Sequence, residues 1–275
     1  MSISAPRYAG LAVPRTHRSS RILAIASREF FRRGTWGTLA GVTLTYMAVV
    51  LIVTITVFVT SVVGGVSAAT FETAFESPVW PFLILIVATA AGAGSLADDV
   101  GNRSITLYLS RPIELLDYLL AKTIACGGWL LIAAVGPGVF AVAISAALGY
   151  ANTSVLLGAL AGFLATGIVA AVFFTGLALA LSSLTNRALY SGVAIFGLVL
   201  SVYIGASVVA GITGNVYVPY ANPIDDIHTV AHAAFGVSGT TVTDPVVCAT
   251  TLLFAGVFLW ILAFWRVTRI EVVSE

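Results

Sequence analysis

Lysine occurs once in this chain, at Lys122, cysteine occurs twice, and charged residues of both signs make up only 9 % of its 275 residues. A soluble globular domain ordinarily carries about a quarter charged residues, so this chain lacks the polar cover that such a domain needs. The charges leave a formal net of +1 and are partitioned along the chain, so they form no nucleic-acid footprint and no nucleic-acid partner is expected. Cys126 and Cys248 stand in apolar segments without CxxC spacing or metal-ligating neighbours, and read as buried free thiols. A GxxxxGK phosphate loop is also missing, because the single Lys follows Ala121. Gly92-x-Gly94-x-x-Ala97 closes an apolar run with no soluble strand before it, so its glycines read as sites of close helix approach. Neither a catalytic residue nor a cofactor is expected.

What the chain has in quantity is apolar sequence: 59 % hydrophobic residues and a mean hydropathy of +1.03. The apolar runs cover 36–63, 79–97, 119–149, 155–183, 188–212 and 246–265. A hydrocarbon core of about 30 Å takes about 20 helical residues to cross, so six spans fit these runs. Their length, and the lack of ten-residue alternating segments, select helices over barrel strands. The fold class expected is therefore all-α, a polytopic membrane protein with six transmembrane helices. The first run is longer than the apolar part of a signal peptide and is expected to be retained.

Charge sorts itself by side. Arg7, Arg15, Arg18, Arg21, Arg28, Arg32 and Arg33 precede the first span, and only Glu72 and Glu76 carry charge between spans one and two. Arg103, Arg111 and Lys122 flank spans two and three, Arg187 separates four and five, and Arg266 and Arg269 follow six. A six-span threading thus puts every basic residue on the cytoplasmic side, with both termini inside and the 213–245 loop outside. The corresponding organisation is a basic tail and elbow over 1–35, a permease domain over 36–265 and a cytoplasmic tail over 266–275. Within the domain, 98–118 forms an inner loop.

Before the first span, Arg21, Arg28 and Arg32 share one helical face, while Ile22, Leu23, Ala26, Phe30 and Phe31 lie broadly opposite. That pattern predicts an interfacial amphipathic helix, its aromatic side in the inner leaflet and its guanidinium groups on anionic head groups. A plain topogenic basic tail is the alternative. The outer loop carries Asn222-Pro223, an N-cap followed by Pro at the first helical position, so a short helix should begin there. Asp225, His228 and His232 would share its face, but acids near a helix N-terminus are already explained by the dipole, and no metal is expected.

The most specific stretch lies between spans two and three. It contains Ala97-Asp98-Asp99, Gly101 to Thr106, Leu107-Tyr108-Leu109-Ser110-Arg111-Pro112-Ile113 and Tyr118-Leu119-Leu120-Ala121-Lys122. Pro112 disfavours helix at Arg111, so a short helix ending near Leu109 should precede a new one entering span three. These residues resemble the permease subunits of ABC-2 type ATP-binding-cassette transporters, including the permease of the nitrous-oxide-reductase maturation system. Ala121 stands where that pattern usually has Gly. Leu181-Ser182-Ser183-Leu184-Thr185-Asn186-Arg187 and Asn222-Pro223-Ile224-Asp225 fit the same family.

The resemblance implies a coupling helix around Gly101 to Leu109 that docks into a groove on a separate cytoplasmic ATPase subunit. Ile105, Leu107, Tyr108 and Leu109 would form its apolar contact, rimmed by Asp98, Asp99, Arg103 and Arg111. It also implies ATP-driven export by a permease paired with a second copy or a paralogue, with the pathway at their interface. A loop packed on its own bundle is the alternative for 101–111. For the chain as a whole, the alternatives are a non-transporting membrane scaffold and a cation-coupled carrier. Ionisable residues occur in the spans only near their ends, which argues against a proton-driven carrier and an intramembrane hydrolase.

Overall fold

The computed structural model describes residues 18–33, 36–76, 79–102, 114–215, 217–237 and 243–273. Among them the order is α1 (Arg18–Arg33), α2 (Trp36–Val63), a 3-10 turn (Ala68–Glu72), α3 (Thr73–Glu76) and α4 (Val79–Gly101). There follow α5 (Leu115–Ala147), α6 (Thr153–Leu184), α7 (Ala188–Thr213), a 3-10 turn (Val218–Ala221), α8 (Pro223–Ala234) and α9 (Pro245–Val273). No strand occurs among the described residues. Six of the helices, α2, α4, α5, α6, α7 and α9, are long and apolar enough to cross a membrane. The protein is an all-α, multi-pass membrane protein.

The six runs read from sequence and the six long helices coincide closely, and the differences are at their ends. The second run continues past Ala97 to Gly101, and the last continues past Trp265 to Val273. Polar residues at those positions prolong the helix beyond the apolar segment, since backbone hydrogen bonding does not stop where hydrophobicity does. Arg269 lies with its guanidinium carbon 3.9 Å from the centre of the Trp265 ring, a pairing suited to a helix leaving the bilayer.

α6 stands at the centre of the bundle, packed on α4, α5 and α9, with α7 along α4 and α2 against both α4 and α5. α4 is buried over most of its length, whereas α2, α7 and α9 show most of theirs to the surroundings. The approach of α6 to α9 depends on missing side chains: a Cβ on Gly176 would collide with the backbone carbonyl of Gly256.

One end of the bundle carries the start of α1, the α4–α5 connection and the end of α9; the other is a compact cap. In the cap the segment 68–76, which the sequence offered only as a connection, buries Phe71 and Phe75 completely. The Phe75 ring lies 4.8 Å from Trp80, 5.5 Å from Phe163 and 5.8 Å from Phe235, centre to centre. Across the cap, α8 starts where Asn222 and Pro223 place it, the Asn222 side chain accepting the Ile224 amide at 3.1 Å. Buried Glu72 pairs with His232 on the same helix.

Candidate functional site: a buried ionic joint beside residues 103–113

Residues 103–113 carry most of the proposed coupling segment, and Arg103, Ile105, Leu107, Tyr108, Leu109 and Arg111 lie outside the described residues. The structure does define both roots of that segment, at the end of α4 and the start of α5. Between these roots and α1 the structure brings together a group of buried charges.

Lys122 enters from the second turn of α5 and is 1 % exposed. Its Nζ lies 2.6 Å from Asp99 Oδ2, from the end of α4, and 3.1 Å from Glu29 Oε1, from α1. Tyr118, one turn before Lys122, donates its hydroxyl to the same Asp99 oxygen at 2.6 Å, and its ring lies 5.3 Å from the ammonium. Arg32 donates to Glu29 Oε1 at 3.3 Å from the rim of the group. Two carboxylates thus meet two cations, and the charge closes within the cluster. Such balance is required where water is scarce, because an isolated buried charge costs several kcal/mol or more.

A second clasp lies at the outer edge. Arg18, the first described residue of α1, donates to Asp117 Oδ1 at 2.7 Å and to Glu114 Oε2 at 2.7 Å. The hydrogen bond that Arg18 donates to Asp117, and then the charges of Asp117 and Glu114, hold the Arg18 guanidinium above its ordinary pKa. At its other end α1 is fixed by an aromatic lock. Phe30 stacks on Trp129 with ring centres 4.5 Å apart, and the Trp129 indole donates to the Phe30 carbonyl at 3.0 Å. The elbow helix is therefore seated along α5 by ions at one end and rings at the other.

The helix read from sequence at the elbow is present, but its faces divide in a way the wheel did not show. Phe31 is exposed, as an aromatic side chain facing lipid would be, while Phe30 turns inward to Trp129. Arg28 and Arg32 are exposed, Arg21 is half-buried, and Glu29 is buried among them. At the end of α4, Asp98 is partly exposed and lines an apolar groove of about 780 Å³ between α4 and α7, with Thr89, Ala93, Gly94 and Leu189. Asp99, read as part of a contact rim, instead points into the bundle at 2 % exposure. Gly101 is exposed, yet a Cβ there would run into the Asn186 carbonyl, so the end of α4 rests on the α6–α7 turn.

A further contact ties α6 to the same place. Ser182 Oγ accepts the amides of Leu96 and Ala97, at 2.8 and 2.9 Å, and donates to the Ala93 carbonyl at 2.7 Å. A side chain of α6 thereby stands inside the hydrogen-bond ladder of α4, one turn before the paired acids. Glu29, Asp117, Tyr118, Lys122 and Ser182 were not singled out from sequence as site residues. For Glu29 a signal existed, the lone acid in an otherwise basic helix. Tyr118 and Lys122 were visible as motif residues, but nothing in the motif shows that Asp99 and Glu29 converge on them.

At the cap, among the described residues, no group of three potential ligands comes together to hold a metal. Asp225 accepts from the Asn222 side-chain Nδ2 at 2.6 Å, and His232 pairs with Glu72. Burial, partly offset by a hydrogen bond with Cys248 and helped by the charge of Asp225, lifts the Asp226 carboxyl to about 6.

The comparisons with known proteins bear on this arrangement. No curated protein matched the chain. The model of a family described as ABC-2 family transporter protein matches residues 63–271, a stretch that runs from the end of α2 almost through α9 and contains both roots of the 103–113 segment. With well over half of its length so matched, the chain belongs to the ABC-2 transporter family, whose members are membrane components of transport systems.

Proposed function

We propose that this chain is the membrane-spanning subunit of an ABC-2 type exporter, driven by a separate cytoplasmic ATPase that engages the segment between α4 and α5. The supporting observation is the ionic joint itself: Asp99, Tyr118 and Lys122 tie together the two helices from which that segment emerges. A load applied to the segment would pass into α4, α5 and α1 together. In this reading Gly101, Arg103, Ile105, Leu107, Tyr108, Leu109 and Arg111 make the contact with Asp98 at its margin, and the basic end of the bundle is cytoplasmic. Arg21, Arg28, Phe31 and Arg32 sit at the membrane surface, and the bilayer is the partner of α1 as well as of the spans.

The permease acts in this reading as a dimer with itself or a paralogue. The long exposed apolar faces of α2 and α7 support that, since each is suited either to lipid or to a second copy. The finer resemblance, to the permease of the nitrous-oxide-reductase maturation system, is tested by whether loss of the chain impairs that maturation.

The direct experiment is copurification of the tagged chain from membranes. An ATPase should accompany it, and substitutions across 101–111 should release that ATPase without lowering the amount of permease. An ATPase whose recovery is unaffected by those substitutions would refute the docking assignment. Sidedness is checked separately with Ser104→Cys, which should resist a membrane-impermeant thiol reagent in intact cells and react after permeabilisation.

A further inference from the structure

We propose that Lys122 is a positioning residue for energy coupling: its ammonium fixes the end of α4 and the elbow helix to α5, so that both roots of the 103–113 segment move as one body. The inference rests on the coupling reading above and goes beyond it by naming the residue that makes the push rigid.

Three features lead to it. The first is convergence. Asp99 Oδ2 accepts the Tyr118 hydroxyl and forms an ion pair with Lys122 Nζ, each at 2.6 Å, so one carboxylate oxygen of α4 meets α5 twice. The second is reach, since the same ammonium is 3.1 Å from Glu29, which brings in a third helix from another part of the chain. The third is burial: Lys122, Asp99 and Glu29 are 1 %, 2 % and 2 % exposed. An ion group of this depth adds little net stability over well-packed apolar side chains; what it supplies is register, because only one mutual placement of three helices satisfies the ammonium. Register between the two roots is what a pushed segment requires. If α4 and α5 could slide past one another, motor motion would be spent on the connection and would not reach the spans.

The test uses the complex of the chain with the ATPase that copurifies with it, reconstituted in lipid nanodiscs. A reporter cysteine replaces exposed Val246, at the opposite end of the bundle. Its labelling rate is measured with and without ATP plus vanadate, alongside ATP hydrolysis. The main variant is the triple Lys122→Met, Asp99→Asn, Glu29→Gln, which strands no buried charge. In the parent complex the nucleotide should change the labelling rate by at least about threefold, a modest population shift. In the triple variant the ATPase should remain bound and hydrolyse within about twofold of the parent rate, while the labelling response disappears. The charge-exchanged pair Asp99→Lys with Lys122→Asp, made together with Glu29→Gln so that no two buried carboxylates face one another, should recover the response, which a merely stabilising role would not require.

A triple variant that responds like its parent overturns the proposal. Should the triple variant fail to assemble, Tyr118→Phe with Asp99→Asn, which cuts the tie to α4 and leaves Lys122 paired with Glu29, carries the same expectation, and an undiminished response there overturns it equally. Absence of any ATPase from the unmodified complex would instead remove the coupling reading, and this proposal with it. ATPase recovery therefore reports on the first reading, and the reporter cysteine on the second.

Discussion

The two ends of the bundle are held shut by different physics. At the basic end, helices α1, α4 and α5 meet through Glu29, Asp99, Lys122 and Tyr118, a set of buried charges with short, directional contacts. At the cap, Phe75, Trp80, Phe163 and Phe235 close the structure by apolar contact, with the Glu72–His232 pair beside them. Apolar packing is short-ranged but non-directional, so it specifies volume and contact more than the orientation of any one pair. Buried ion groups tolerate few displacements, because each uncovers an uncompensated charge. The comparison teaches that the basic end fixes the relation of three helices through directional contacts, whereas the cap is held by filling its volume with rings.

The sharpest way to break that contrast is Lys122→Ala, which leaves two buried carboxylates facing one another. A loss of about 3–5 kcal/mol is expected, read as a fall in thermal unfolding temperature in detergent. Most of it should return when Asp99→Asn and Glu29→Gln are added. Phe75→Ala at the cap should cost a comparable or slightly smaller amount, about 3 kcal/mol or more. Unlike the ionic change it should be largely restored by Phe75→Leu alone, as expected where volume matters more than direction.

Asp226 allows the cap to be probed by pH. Its folded pKa of about 6 lies above the ordinary value of 3.8, so the folded state holds the proton more tightly than the unfolded chain. The stabilisation is complete below pH 3.8 and is lost as pH rises from there through about 6. Thermal stability relative to Asp226→Asn should therefore increase on acidification from pH 7 to pH 4, by up to a few kcal/mol. A pH-independent difference between the two proteins would show that the Asp226 site is not desolvated. The mildest change should be Ser182→Ala, which removes one hydroxyl from the α4 ladder and should cost about 1–3 kcal/mol. Its hydrogen-exchange signature should be confined to the amides of Leu96 and Ala97.

Most of the architecture was legible from the chain because a membrane imposes a length on each apolar run. α2 occupies 36–63, the run read from sequence, and α8 begins at the Asn222-Pro223 cap. Segment 68–76 was not legible, because the partners of Phe75 on α6 and after α8 are distant in sequence and no periodicity links them. The same holds at the joint. A lone Glu29 in a basic helix reads as a solvated residue until α5 is placed against it, and Lys122 reads as a flanking topological charge until α4 brings Asp99 alongside. Asp99 itself was legible as a notable acid, but not the direction in which it points. Sequence shows which segments enter the membrane; which of their polar residues turn towards one another depends on how the helices cross.

The hydroxyl of Ser182 has a mechanical consequence of its own. A spanning helix usually resists bending because any opened peptide group would be stranded in hydrocarbon. Here a neighbouring side chain already serves the Ala93 carbonyl and the Leu96 and Ala97 amides, so a change of tilt at this turn of α4 would leave those three groups partnered. Because Ser182 belongs to α6, any such tilt would pivot where α6 meets α4, and the contacts of Asp99 with Tyr118 and Lys122 would carry α5 with it.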